Sequence, residues 1–291
     1  MLTQHDVPIA PSTYYAHRAC PVSTADWDDA HGANAVLDAY RANRSVYGAL
    51  KLWVEMARRG HDMGRDQVTR LMAIVGIEGI RRGEHRTFTT VRDPGAARHP
   101  DLVKRDWAGP SRPDQLWVAD FTYVWTLAGF CYVSFITDVF SRLILGWRVS
   151  MSKTTPLVAS ALEQALFARR RHNSRFTATG LVHHSDAGSQ YTSLAFTKAL
   201  VEAGIAGSIG TVGDALDNAL MESTIGLYKT EMVHRHRATW SGHNELEAET
   251  ASWVQWFNNT RLHSSIDYLP PVEFEQRYRS LAATAPTGEV A

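Results

Sequence analysis

Two cysteines in 291 residues, Cys20 and Cys131, leave no material for a disulfide framework, and neither sits in a CxxC pair of the kind that binds zinc or cycles redox state. A mixed zinc site of His17, Cys20 and His31 is the weaker alternative for the N-terminal region. No stretch approaches the roughly 18 consecutive apolar residues of a membrane-spanning helix, and the opening MLTQHDVPIAPSTYYAHR has no apolar signal core. A cytoplasmic protein is expected. Heptads and internal repeats are also missing, which excludes coiled-coil and solenoid architectures. What remains, 44% apolar and 21% charged residues, is the composition of a globular protein with one sizeable core and one or two small satellites.

Net charge is lacking as well, with 30 Lys and Arg against 30 Asp and Glu, but the charge is unevenly placed. Residues 41 to 92 hold eleven basic side chains against five acidic ones, while residues 114 to 225 hold eight against nine. A basic module therefore precedes a neutral core, the distribution expected of a phosphate-binding protein. Within that module the apolar residues recur at helical spacing: Val36, Leu37 and Tyr40; Leu50, Trp53, Val54 and Ala57; Val68, Leu71, Met72 and Val75. Three short helices fit, with Gly60 as a stop and GHDMG as the turn of a helix-turn-helix. Arg65, Gln67 and Arg70 fall on the face of the third helix away from the core and are the candidate DNA contacts. A small bundle with a solvated basic face is the alternative.

Residues 83 to 113, rich in Gly, Pro and Arg and without period, read as a linker or arm. Three strand signals follow, at 116–125, 130–140 and 142–150, the first two joined by a tight turn at LAG. Thr155 and Pro156 mark a helix start, and Leu157, Val158, Ala161, Leu162, Ala165 and Leu166 form one stripe. A short buried strand at 181–184, a helix around 194–203, a strand around 205–209 and a longer helix complete an α/β order with a mixed sheet. From about His243 one amphipathic helix is expected, then a Pro-punctuated tail. The resulting division is a helical module over 1–82, a linker over 83–113, a core over 114–235 and a C-terminal segment over 236–291.

Three carboxylates stand out. Asp120 interrupts the apolar run WVADFTYV, Asp186 follows the short apolar stretch LVHH, and Glu222, 35 intervening residues later, lies inside a helical stretch. A charge near a core must be compensated, and a shared divalent cation does so while supplying a Lewis acid. An all-oxygen site suits Mg2+ or Mn2+. Asp120 and Asp186 meet only if their strands are neighbours in the sheet. Asp138, Asp214 and Asp217 are decoys, the last two explained as caps of the Glu222 helix. Lys229, two helical turns beyond Glu222, shares its face and is a candidate DNA contact, with a solvated surface lysine as the alternative. His183 and His184 are read either as structural strand-end histidines or as support for the site.

The words YGALKLW, DQVTRLM, DQLWVADFTYV, YVSFITDVFSRLILGW, HHSDAGSQYTS, DALDNALMESTIGLYKTE and WFNNTRLHSSIDYLPPVEF, in this order, resemble DDE transposases of the insertion-sequence-three family, second-reading-frame product. The resemblance implies a ribonuclease-H-like core behind a helix-turn-helix module. Asp120, Asp186 and Glu222 would be its metal-binding catalytic acids, cutting the ends of a mobile element and joining the freed 3′-hydroxyl to another phosphodiester. It further implies a homo-oligomer on DNA, a basic residue at the Lys229 position touching the element end, and an upstream-frame product as fusion partner. Gly188, Gln190 and Tyr191 would shape the loop after the second acid; Arg261, His263 and Ser264 match a closing motif that either contacts DNA or packs. A DNA-binding regulator without catalysis is the competing reading, and a plain nuclease of the same fold a third.

Overall fold

The computed structural model describes residues 9–81, 109–186, 188–209, 219–235 and 239–284, and the chain divides into two compact units, Met1–Ile80 and Arg81–Ala291. In the first unit, α1 (Pro11–Ala19) precedes α2 (Thr24–Ala42), α3 (Ala49–Arg58) and α4 (Arg65–Ile74). Helix α2 begins at Thr24, twelve residues before Val36, the first residue of the apolar periodicity. Its start is set by a capping box: Ser23 Oγ accepts from Asp26 N–H while Ser23 N–H donates to the Asp26 carboxylate at 2.9 Å. Helix α1 was not anticipated, because it buries none of its side chains and so carries no apolar stripe. Val36, Ala39, Leu52, Met56, Val68, Leu71 and Met72 make the core of this unit.

The buried face of α3 differs from the expected one. Leu52, Glu55 and Met56 are covered, whereas Leu50, Trp53 and Ala57 are exposed. Two polar contacts explain the rotation. The Trp53 indole N–H donates to the Met63 carbonyl at 2.9 Å, laying the ring across the turn, and the Glu55 carboxylate is paired with Arg59 at 2.8 Å. Gly60, at φ 82°, ends the helix in the left-handed conformation expected of its stop.

The second unit is built on a five-stranded sheet of β1 (Leu116–Thr126), β2 (Gly129–Asp138), β3 (Ile144–Ser150), β4 (Val182–Ser185) and β5 (Ala206–Ile209), in the order β3-β2-β1-β4-β5. The three hairpin-linked strands are antiparallel, and β4 and β5 run parallel to β1. This is the mixed, ribonuclease-H-like arrangement expected from the sequence. Helices α5 (Thr155–His172) and α6 (Leu194–Ala203) cover one face, burying Trp117, Ala119, Ile136, Val158, Leu162 and Phe196 in a common core. Gly146 permits the close approach of α5 to β3, since a Cβ there would lie 2.0 Å from the Ala161 carbonyl oxygen. Helix α7 (Ala219–Glu231) and α8 (His243–Asn259) pack on the other face, where Phe135, Tyr228 and Trp253 interlock edge to face.

Helix α8 also covers the free edge of the sheet. Asn258 bonds both the N–H and the carbonyl of Ile144, at 3.0 and 2.8 Å, and His243 Nε2 lies 3.0 Å from the Val149 carbonyl. The segment expected as a tail contains a further helix, α9 (Pro271–Thr284). Its Glu275 enters a buried charge cluster with Arg169, whose guanidinium also meets Asp114 at 2.6 Å and Asp138 at 3.6 Å. Most of the expected linker, residues 83 to 108, lies outside the described residues, as does residue 82.

Candidate active site

The sheet register assembles the first half of the site. Ala119 on β1 partners Ser185 on β4, where β4 ends, so the next residues, Asp120 and Asp186, emerge together at the notch where β1 continues paired with β2 only. Each carboxylate is oriented by one backbone donor: the Phe121 N–H reaches Asp120 Oδ1 at 2.7 Å, and the Gly188 N–H reaches Asp186 Oδ1 at 3.1 Å. A Cβ on Gly188 would stand 3.0 Å from that same Oδ1, so the glycine lets the loop fold back on its own aspartate.

Burial, then the adjacent charge of Asp186, push the Asp120 carboxyl up to about 8; Glu222 adds to the rise and Lys229 opposes it. Burial also raises Asp186 above the ordinary carboxylate value. Tyr191, fully buried in the loop after Asp186, is held well above its usual value by burial and by both aspartates, so its hydroxyl stays neutral. Its ring packs against Phe121, His183 and Phe196. Gln190 donates to the Lys153 carbonyl at 2.7 Å, tying the loop to the residues before α5.

Glu222 lies on the exposed first turn of α7, near enough to act on Asp120 through its charge. Among the described residues no three His, Cys, Asp or Glu side chains stand close enough to hold a metal ion together. The structure thus gathers Asp120 with Asp186 and leaves Glu222 on the adjoining helix; His17, Cys20 and His31 form no such group either. The stretch entering α7, residues 210 to 218, lies outside the described residues, with the two candidate caps Asp214 and Asp217 in it. Two turns past Glu222, the Lys229 ammonium sits 5.1 Å above the Tyr123 ring, half-buried. Burial lowers its pKa, and Asp120 raises it. Tyr123 was not singled out from sequence; its only signal there was an aromatic three residues after Asp120.

Several residues singled out in the sequence make structural contacts. His184 Nδ1 is 2.9 Å from Ser208 Oγ on β5, and His183 meets Phe196 edge to face, both rings buried. Asp138 accepts backbone N–H bonds from Asp114 at 2.7 Å and Ser141 at 2.8 Å. Arg261 is buried and grips Glu231 at the end of α7, with Nη2 to Oε1 at 2.6 Å, and His263 packs on Phe257, so these two members of the closing motif are packing residues. In the first unit Arg65 and Gln67 are exposed on α4 as expected. Arg70 is exposed too, but its guanidinium is held by both oxygens of Asp29, at 2.5 and 2.7 Å, which lowers the Asp29 pKa.

Two family models described as integrase core domain match residues 110–215 and 203–271, and one described as HTH-like domain matches residues 26–85. A Mycobacterium tuberculosis protein of insertion sequence element IS986/IS6110 is 45% identical over 272 residues, covering 94% of this chain and 96% of that one. The transposase for insertion sequence element IS629 of Shigella sonnei is 46% identical over 275 residues, covering 93% and 89%. The transposase for IS904 of Lactococcus lactis is 28% identical over 243 residues, covering 81% and 90%. Among solved structures, the catalytic core domain of BIV integrase aligns with 58% of this chain and 99% of its own at 18% identity and a TM-score of 0.41. The HTLV-2 integrase core in complex with magnesium aligns at 16% identity, 56% and 97% coverage and the same score.

A helix-turn-helix unit joined to an integrase core defines a DNA-cleaving and strand-transferring enzyme. The chain belongs to the insertion-sequence transposases of the insertion-sequence-three type. Integrase-core enzymes depend on divalent metal.

Proposed function

We propose that Asp120, Asp186 and Glu222 are the metal-holding catalytic acids of this transposase, with Mg2+ as the working ion and Mn2+ able to replace it. The observation that carries the reading is the Asp120–Asp186 pair, two partly buried carboxylates side by side with Asp120 raised to about 8. Such a pair is costly unless a cation compensates it, and an all-oxygen donor set fits a hard divalent ion. When bound, the ions supply a Lewis-acid clamp on the attacking and leaving oxygens of an in-line phosphoryl displacement.

The chain's own residues do the rest. The Phe121 and Gly188 amides fix the two aspartates, Glu222 joins them from the first turn of α7, and the Glu231–Arg261 pair anchors the far end of that helix. Lys229, beside Asp120, holds a phosphate of the element end as a positioned charge. Arg65, Gln67 and Arg70 on α4 read or grip duplex DNA, Arg70 after releasing Asp29. The 1–82 module would thus bind, the 114–235 core cut and join, the 83–113 segment connect them, and the 236–291 segment brace the core. The protein would act as a homo-oligomer on nucleoid DNA in the bacterial cytoplasm, in some settings fused to the upstream-frame product.

Incubating the full chain with labelled element-end duplex and Mg2+ tests the reading. Joined product is expected. DNA that is bound but never cut would indicate a regulator, and DNA cut without joining a plain nuclease.

A further inference from the structure

Beyond Asp120, β1 runs on to Thr126 without β4 beside it, and the β1–β2 hairpin there has two unlike faces. One is closed: Val124, Cys131 and Val133 are buried. The other carries Tyr123, Trp125, Phe130 and Tyr132, whose register places Tyr123 opposite Tyr132 and Trp125 opposite Phe130. Trp125 is 58% exposed and Phe130 46%, an unusual outlay of apolar surface on strands whose reverse side is fully packed. The rings are nonetheless ordered against one another, Phe130 meeting Tyr123 at 5.4 Å and Trp125 at 4.8 Å, both edge to face. The hairpin end is pinned as well, because the Leu127 N–H donates to the Trp240 carbonyl at 2.8 Å.

We propose that this aromatic hairpin face is a stacking platform for unpaired bases of the DNA on which the enzyme acts. The alternative occupants of an exposed aromatic face are a second copy of the chain or another protein. Charge and position favour nucleic acid. The Lys229 ammonium lies over Tyr123 at one side, Arg148 shares the face through its pairing with Ser134, and the strand positions forming the face include no acidic residue. Tyr123 and Trp125 follow Asp120 by odd offsets, so their rings lie on the sheet face opposite the Asp120 carboxylate, about 10 and 17 Å further along the strand at about 3.3 Å per residue. A DNA strand leaving the acids would reach them around the edge of β1 that β4 leaves open, where Lys229 meets Tyr123. Bases in an intact duplex have no free faces, so the partner is a locally unpaired stretch, bound by stacking and by phosphate contacts to the two cations. The proposal rests on the DNA-acting reading of the site but not on catalysis.

The test measures binding of the full-length protein, without metal, to a fluorescent single-stranded oligonucleotide of mixed sequence. Wild type is expected to bind it. Trp125→Ala and Phe130→Ala should each weaken that binding about tenfold or more, Trp125→Phe should retain most of it, and affinity for paired element-end duplex should change far less. Sedimentation of the same variants should show an unchanged oligomeric state. Failure of wild type to bind single strands, or equal binding by the Ala variants, would overturn the proposal. Loss of self-association with unchanged single-strand affinity would also overturn it and make a second copy the occupant. Metal-dependent nicking of duplex, scored separately, reports on the acids and not on the platform.

Discussion

Asp120 and Asp186 are brought side by side by one register, the pairing of Ala119 with Ser185 on parallel strands, at the point where β4 stops and β1 continues. A one-residue slip would turn one carboxylate to the opposite face of the sheet. The site is therefore as firm as the sheet core beneath it, where Trp117 and Ala119 are fully buried.

Replacing Asp120, Asp186 or Glu222 with Ala should abolish cleavage and joining while leaving DNA binding and fold intact. Loss of several kcal/mol of charge stabilisation corresponds to roughly a thousandfold or more in rate, read in a strand-joining assay. Glu222→Ala is the most informative, since that side chain stands on the adjoining helix, outside the Asp120–Asp186 pair; near-normal joining would remove it from the site.

The raised Asp120 carboxyl gives a pH dependence of defined sign. Its folded value of about 8 exceeds the ordinary 3.8, so between these values the folded state binds more protons than the unfolded chain. Metal-free stability should fall as pH rises from about 4 to 8, by an amount on the order of a few kcal/mol for this group. Asp120→Asn should flatten that slope and melt higher than wild type at pH 8 without metal, while Mg2+ should stabilise wild type increasingly as pH approaches 8. Calorimetry across pH, with and without Mg2+, would contradict this if wild type were most stable near pH 8 in the absence of metal.

Lys229→Ala should reduce joining of element-end DNA more than metal-dependent nicking of arbitrary duplex, and Lys229→Arg should be milder because charge is retained. Equal joining by the Ala variant and wild type at several salt concentrations would make Lys229 a partner of Tyr123 and nothing more.

In the first unit the three α4 candidates should not behave alike. Arg65→Ala should weaken duplex binding and flatten the slope of log affinity against log salt by about 0.9. Arg70→Ala should have a smaller effect on binding, because its guanidinium is already engaged by Asp29. A larger effect from Arg70 in a salt titration would mean that releasing Asp29 costs DNA binding little.

Arg261→Ala strands Glu231 as a buried carboxylate without its partner and should cost about 3–5 kcal/mol in urea unfolding of the core. Duplex binding through the helix-turn-helix unit should be unaffected. A loss below about 1 kcal/mol would show that water reaches the pair.

The sequence by itself determined the elements whose signal is local. The α5 stripe from Leu157 to Leu166, the β1–β2 hairpin and the helix stop at Gly60 follow from periodicity and turn chemistry, which act over a few residues. Asp120, Asp186 and Glu222 stand out in the sequence because each acid breaks its local pattern and keeps a recognisable set of neighbouring words. Tertiary structure decided what depends on partners distant in the chain. The buried face of α3 turned on a Trp53–Met63 hydrogen bond, and α9 was held by Glu275 meeting Arg169 across 106 positions. The meeting of Asp120 with Asp186 required the parallel pairing of strands separated by a whole crossover. The placement of Lys229 over Tyr123 required α7 to lie against β1. No local propensity encodes such distances, because a side chain's burial and charge environment are set by whatever the folded chain packs beside it.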